Sequence, residues 1–433
     1  MSALEVELAG ASVEVRGPLT RALEGRALTW REAVTLMAAR GRDFRALCLV
    51  ADELRQRQVG DTVTYVVNRN INFTNVCVKS CRFCAFARGA RSEEGYFLQV
   101  EDVVNRALEA QRLGATEVCL QAGLAPNLDG DTYVQLCRAV KRAAPDLHLH
   151  AFSPEEVKYA AGLSRVSIQE YLTRLREAGL DSMPGTSAEI LDDDLRQRIA
   201  PRRITVAEWI DVVRSAHALG IPTTATMMFG HVETLEHRAR HLELLRTLQQ
   251  ESGGFTEFVP LAFVHRDAPL FVRAEIPGVQ PGPTGHDVVA LYAVSRLMLG
   301  ETFRNIQASW VKEGLRQAQL LLDAGVNDLG GTLINESIST AAGAGHGQFL
   351  APSALRRAIR DAARTPAQRS TRYDLLRTFA RHAPADGEPP EPLDLVDEPD
   401  ATFGSYAALT QDGRFRFQRR SASGARNGAL EPR

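Results

Sequence analysis

The stretch Asn70-Ile71-Asn72-Phe73-Thr74-Asn75-Val76-Cys77-Val78-Lys79-Ser80-Cys81-Arg82-Phe83-Cys84 decides how the rest of the chain is read. A β-rich segment, residues 70–75, runs straight into three cysteines spaced C-x3-C-x-aromatic-C. In parallel β/α barrels, chemistry sits where strands end at their C-terminal edge. Thiolates at this spacing can wrap a loop around one face of a cubane iron-sulfur cluster, each binding one iron. No fourth cysteine joins them, so one iron would stay open to a small molecule, as an open catalytic metal site does. A Cys3His zinc site and three unrelated core cysteines are the competing readings. The remaining cysteines, Cys48, Cys119 and Cys137, lie far apart, and six in 433 residues make no disulfide framework. A cluster of three thiols in a reducing compartment points instead to metal binding or catalysis.

Outward from this loop, short β-rich segments alternate with longer amphipathic ones from about residue 70 to 335. The strands are expected at 70–75, 117–123, 147–152, 179–184, 222–230, 257–263, 304–310 and 326–332. The helices between them carry end signals. Thr205 with Glu208 forms a capping box ahead of Trp209, Val212, Val213 and Ala216, and Gly220 stops the helix; Ser167, Glu170 and Gly179 repeat the device. Val100, Val103, Val104, Ala107 and Leu108 make a further apolar stripe, with Glu101 and Asp102 in its first turn. Eight β/α units predict an α/β fold of (β/α)8 TIM type, with a doubly wound open sheet as the alternative.

Hydrophobic residues are 44% and charged residues 24% of the chain, enough apolar content for a sizeable core. The net charge is -2, which provides no basic field to hold nucleic acid or an anionic membrane. No apolar run is long enough to cross a bilayer, and the N-terminus lacks a signal-peptide plan, so a cytoplasmic location is expected. Residues 1–65 read as a helical N-terminal extension, 66–380 as the barrel and 381–433 as a flexible tail. Residues 384–400 are rich in Pro, Asp and Glu, and 413–433 in Arg, Gly and Ser. Neither part is expected to bury enough apolar surface to offset its ordering entropy, so the tail should be dispensable for chemistry.

The cysteine loop, with Phe83 before its last cysteine, resembles the fingerprint of the radical S-adenosylmethionine (SAM) enzymes. The resemblance implies a 4Fe-4S cluster whose open iron takes the amino and carboxylate groups of SAM, and reductive cleavage of SAM to methionine and a 5'-deoxyadenosyl radical. The cofactors would carry the difficult chemistry, and the protein would orient the radical and exclude water. Gln121-Ala122-Gly123-Leu124 takes the place of the family's glycine-rich turn, which makes Gln121 and Gly123 candidate SAM contacts. The segment 226–233, TMMFGHVE, resembles the one beside the SAM adenine and ribose, which adds Met228, Gly230 and Glu233.

Within the superfamily, residues 81–86 (CRFCAF), 182–193 (SMPGTSAEILDD), 221–233, 257–271 (EFVPLAFVHRDAPLF), 305–312 (NIQASWVK) and 330–339 (GGTLINESIS) resemble the tyrosine-dependent half of the synthases that make the deazaflavin FO. That similarity spans about residues 45–380 and implies L-tyrosine and 5-amino-6-(D-ribitylamino)uracil as substrates, an electron donor, and a companion FO synthase subunit as a candidate partner. The radical would take hydrogen from the tyrosine amino group; Cα–Cβ cleavage would then release the fragment that adds to carbon 5 of the uracil. Candidate polar groups at strand ends are Asn75, His150, Ser182, Glu189, His231, His265, Gln307, Ser309 and Asn335, with Glu189 and His231 put forward as catalytic. The rival readings are the aminofutalosine-forming and futalosine-cyclising enzymes of menaquinone synthesis and, from another class, a zinc-stabilised binding protein.

Overall fold

A ring of parallel strands organises the protein, and it can be followed pair by pair in the computed structural model, which describes residues 2–383 and 387–418. Thr62–Val66 (β1) leads after one residue into Asn68–Ile71 (β2), and β2 pairs with Glu117–Leu120 (β3), which pairs with His148–Ala151 (β4). Single bridges, His150 to Ser182 and Met183 to Thr223, carry the ring to Thr223–Phe229 (β5), which pairs with Phe255–Ala262 (β6). Further bridges, Phe258 to Ile306 and Gln307 to Asp328, reach Asp328–Gly331 (β7). Pairing of β7 with β1, and of Ile334 with Arg69, closes the barrel.

All eight expected strand positions take part, but the fourth and seventh shrink to bridges for identifiable reasons. Asp181 and Ser182 both donate their N–H to the Leu149 carbonyl, and Pro184 has no N–H to continue the ladder. At the seventh, the Ile306 N–H is taken by the Asn327 side chain at 2.9 Å. The first strand ends at Ile71 rather than Asn75. Beyond it the chain leaves the ring and pairs through Thr74 with Phe97 and through Val76 with Arg88.

Three features depart from the expected division of the chain. The barrel strand begins at Thr62, inside the segment read as the N-terminal extension. Thr365–Arg369 (β8) lies parallel to β1 on the side away from β7, and Leu375–Thr378 (β9) returns antiparallel to it. Their sequences, TPAQR and LLRT, carry little β preference, so no strand was expected there. Third, residues 387–418 correct the expectation of a flexible tail. Leu393, Phe403, Tyr406 and Phe417 are buried in the main core. Asp394 and Glu388 pair with the buried Arg356 at 2.9 and 3.0 Å. A few well-spaced apolar residues and a carboxylate group matched to one buried guanidinium suffice, which average composition conceals. Residues 384–386 and 419–433 of that expectation lie outside the described residues.

N-terminal helices Ala3–Ala9, Val13–Leu23, Trp30–Met37 and Gly41–Val59 pack beside the barrel. The last two lie against helix Gly285–Leu299, which is buried almost all round because it is enclosed between them and the barrel. No helix among the described residues is long and apolar enough to cross a membrane.

Candidate active site

Alternate residues of each strand point into the barrel, and together they line one cavity of about 400 Å3. From β3 and the residue after it come Glu117, Cys119 and Gln121; from β5, Thr224, Thr226 and Met228; from β6, Glu257, Val259 and Leu261. At about 3.3 Å per residue, Glu117 to Gln121 spans on the order of 13 Å of depth. Cys77, Cys81 and Cys84 lie at the rim, above the strand ends, and Arg369 and Thr371 line the floor.

The rim is held in place by close backbone contacts. Gly123 donates its N–H to the Thr74 carbonyl at 2.8 Å, and Val78 donates to Leu124 at 2.8 Å. A Cβ on Gly123 would stand 2.4 Å from the Val76 carbonyl oxygen, so only glycine lets β3's exit meet the approach to Cys77. Beneath this turn Glu156 accepts from Ala122 N–H at 3.0 Å and from Ser153 N–H at 2.7 Å. Burial still pushes its carboxyl up to about 7, against those hydrogen bonds. From outside, residues 387–418 form a C-terminal strap that adds an antiparallel bridge, Tyr96 to Arg416, and its Tyr406 packs on Phe86, which lines the cavity.

Around Cys81 the side chains divide into apolar and charged groups. Phe83 and Met228 pack with Ile199, Ala200 and Phe263. On the other side, the Arg203 guanidinium lies 3.6 Å from the Cys81 sulfur and 3.4 Å from Glu189. Glu155 takes Lys79 at 3.0 Å and Arg203 at 3.2 Å. Burial raises the Cys81 thiol to about 12 even though Arg203 opposes it. One buried polar atom here, Glu189 Oε2, has no hydrogen-bond partner among the described residues. An unpaired carboxylate oxygen beside a cavity suits a polar ligand that completes it.

The cavity brings together Cys77, Cys81, Cys84, Gln121, Gly123, Met228, Glu189, His150, Gln307 and Ser309 of the expected residues, and leaves others outside. His231 does not line it. Its ring is fully buried, Nδ1 accepts from Val232 N–H at 2.8 Å, and Nε2 faces the Met228 carbonyl at 3.2 Å, so both nitrogens are occupied. Gly230 and Glu233 form the turn beyond β5. Glu233 accepts from Gly230 and His231 N–H groups and from Arg238; burial alone would raise its carboxyl, but His231, Arg238 and those N–H groups hold it down to about 2. Asn75 is held by Glu94 and Tyr96, Asn335 by Arg69, and Ser182 lies under His148 and His150; Asn75, Asn335, Ser182 and His265 do not line the cavity.

Sequence reasoning missed Lys79, Glu155, Arg203 and Lys312 near the rim and Glu117, Glu257, Asp328 and Arg369 near the floor. A charged residue in a strand or next to a motif loop reads as solvated until the fold shows what it faces. The one available signal was the repeated placement of Glu or Asp at the start of strands, where inward carboxylates would meet.

Three partly buried thiols on one loop, opening into a barrel cavity beside an ion group with an unpaired carboxylate oxygen, define an enzyme site built for a cluster and a polar cosubstrate. Among the described residues no three Cys, His, Asp or Glu side chains close on one point, as ligands of a single ion would. Thiols that each reach a different iron of a cubane need not do so. Residues 71–245 match the family model of the radical SAM superfamily, and residues 252–382 that of the CofH/MqnC C-terminal region.

The 5-amino-6-(D-ribitylamino)uracil--L-tyrosine 4-hydroxyphenyl transferase of Methanothermobacter thermautotrophicus is 49% identical over 346 residues, 80% of this chain and 94% of that protein. FO synthase of Streptomyces coelicolor is 46% identical over 388 residues, 89% of this chain but 44% of that longer protein. Methylornithine synthase shares the fold at a TM-score of 0.61 and 18% identity, covering 81% of this chain and 97% of its own. The chain therefore belongs to the radical SAM superfamily, in the family of these 4-hydroxyphenyl transferases. The cofactors of the superfamily are a 4Fe-4S cluster and SAM, and the donor set at the rim fits both.

Proposed function

We propose that the protein cleaves the Cα–Cβ bond of L-tyrosine and transfers the 4-hydroxybenzyl group to carbon 5 of 5-amino-6-(D-ribitylamino)uracil. The observation that carries this reading is the single cavity that joins the thiol rim to a polar floor, in a chain half identical to transferases of that name. Cys77, Cys81 and Cys84 would hold the cluster, and when bound the cluster and SAM supply a hydrogen-abstracting carbon radical at the rim.

The chain's own residues do the rest. Arg203 and Lys79 offer cationic donors to a carboxylate, while Glu189 and Glu155 accept from an amino group or ribose hydroxyls; together they suit the zwitterionic end of SAM. Gln121, whose side chain donates to Thr186 at 2.8 Å, steadies the turn above β3. Met228 supplies an apolar wall against which a flat ring can lie. His231 acts as a positioning residue: with Glu233 and Arg238 it fixes the backbone that presents Met228, and it exchanges no proton with substrate. The upper wall, with Val259, Leu261, Phe263 and Val311, excludes water from the radical's path. An external electron donor is required. The longer FO synthase suggests a companion protein that takes the product onward.

The test is anaerobic turnover with SAM, dithionite, ring-labelled tyrosine and the ribitylaminouracil. Label should appear in a uracil adduct while the two-carbon remainder of tyrosine leaves as an imino acid. Label confined to unreacted tyrosine, with turnover instead on an enolpyruvyl benzoate, would overturn the reading.

A further inference from the structure

The floor of the cavity carries a group of side chains that the rim chemistry does not use. Asp328 accepts both a 2.5 Å and a 3.1 Å hydrogen bond from Arg369. Glu117 is held on both oxygens, by Asn68 at 2.8 Å and Thr371 at 2.7 Å. Glu257 is different. Gln307 at 3.0 Å, Arg369 at 3.4 Å and the Tyr373 hydroxyl all donate to its Oε2, and none of them reaches Oε1. Gln307 spends its NH2 group on Glu257, which leaves its carbonyl oxygen without a donor among the described residues. His150 is bound through Nδ1 to Ser182 at 2.7 Å, and its Nε2 has no protein partner there.

These three open valences belong to residues that line the same cavity, and none is among its sealed, unsatisfied atoms. Burial pushes the Glu257 carboxyl up to about 8, but Glu117 and Asp328 still outnumber the one guanidinium, so the floor repels a carboxylate ligand such as the head of tyrosine. It favours a neutral molecule rich in hydroxyl groups, because each hydroxyl can donate to an open acceptor and accept in turn. Above it the wall turns apolar, which suits flat rings.

Resting on the function proposed above, we infer that Glu257, Gln307 and His150 form a polyol subsite that holds the ribityl chain of the aminouracil, with the chain pointing down the barrel. Binding the chain at the floor fixes how far carbon 5 of the ring stands below the thiol rim, where the tyrosine fragment is released. The positions of the two substrates along the barrel axis then follow from charge: the polyol goes below, and the amino acid lies next to the radical source.

The experiment is anaerobic titration calorimetry on the full chain carrying its cluster and SAM. The probes are 6-(D-ribitylamino)uracil, which lacks the oxidisable 5-amino group, 6-(pentylamino)uracil, which keeps the chain length without hydroxyls, and 6-(methylamino)uracil. Wild-type protein should bind the ribityl probe at least about tenfold more tightly than either other probe, the gain of one to two hydrogen bonds. Glu257→Gln combined with Gln307→Met should reduce that preference to less than about threefold and leave the affinity for the methylamino probe unchanged.

Equal loss of affinity for all three probes, or a preference that survives the substitutions, overturns the subsite. Should the double variant fail to fold, wild type alone still decides, because a pentyl chain bound as tightly as ribityl also overturns it. Failure of the functional reading is separate: wild type would then bind none of the uracils and deliver no label from tyrosine to the ribitylaminouracil.

Discussion

The two ends of one cavity are built by opposite means. At the rim, reactive groups sit on a loop, and that loop is held by pieces that approach from several directions: the Gly123 turn, the Arg203–Glu155 ion group and the C-terminal strap. At the floor, one or two polar residues from each of several strands meet in a network whose hydrogen bonds are nearly all satisfied within the protein. Loop chemistry leaves room for a bound cofactor to complete the site, and the unpaired Glu189 Oε2 marks where. Strand chemistry gives fixed geometry, because neighbouring strands set each side chain's height to within a residue's rise.

The sharpest way to break the comparison is to remove a thiol at each level. Cys77→Ala, Cys81→Ala or Cys84→Ala should each abolish the iron-dependent absorbance and SAM cleavage outright. Cys119 lines the same cavity lower down, so Cys119→Ala should keep both. If Cys119→Ala lost the cluster while Cys81→Ala kept it, the division between rim and wall would be wrong.

Next in size is the strap. Ending the chain after Ala383 removes Leu393, Phe403, Tyr406 and Phe417 from the core, each worth about 1.5–3 kcal/mol as an upper bound on area grounds. It also strands Arg356, 2% exposed, without Asp394, Glu388 and Glu391. The melting temperature should therefore fall by more than about 10 °C. A truncated protein that melts within 2 °C of the full chain (roughly the shift from 1 kcal/mol or less) would make the strap a passive covering, as its composition alone suggested.

The floor gives a smaller effect of a different kind. Arg369→Met leaves Asp328 buried without its cation and should cost about 3–5 kcal/mol of stability, less whatever protonation recovers. The iron absorbance should survive in the fraction that stays folded, because the rim contacts do not pass through Arg369. Loss of the absorbance at unchanged melting temperature would show the two ends to be coupled.

How far each end could be read from sequence follows from the same contrast. The cysteine loop, the strand ends and the alternation of strands with capped helices are local patterns, and the barrel follows from them. The floor is assembled from Asn68, Glu117, Glu257, Gln307, Asp328 and Arg369, separated by up to three hundred residues of chain, about 300. No local pattern distinguishes an inward Glu257 from a solvated one. His231 misled in the other direction: its motif is local and specific, but the backbone around it consumes both nitrogens. The strap was missed because its averaged composition hides Phe403, Tyr406 and Phe417, whose spacing rather than number anchors it.

The finest test lies between the two ends, at Glu156 beneath the Gly123 turn. Burial raises its carboxyl to about 7 in the folded protein, whereas in the unfolded chain it titrates near 4.5. Between those values the folded state keeps a proton that the unfolded state has released, so unfolding becomes easier as pH rises; below 4.5 and above 7 this contribution is flat. Over that window the loss is about 3 kcal/mol at most. Melting temperatures measured from pH 4.5 to 8 should fall through the window in wild type, and the slope should flatten in Glu156→Gln, which cannot ionise. The slope is the readout rather than the absolute melting point, since the new amide must also face the Ser153 and Ala122 N–H groups that now donate to the carboxyl. An unchanged slope in the variant would mean that Glu156 is ionised when folded, and that the hydrogen bonds it accepts from the Ala122 N–H, the Ser153 N–H and the Ser153 hydroxyl outweigh its burial.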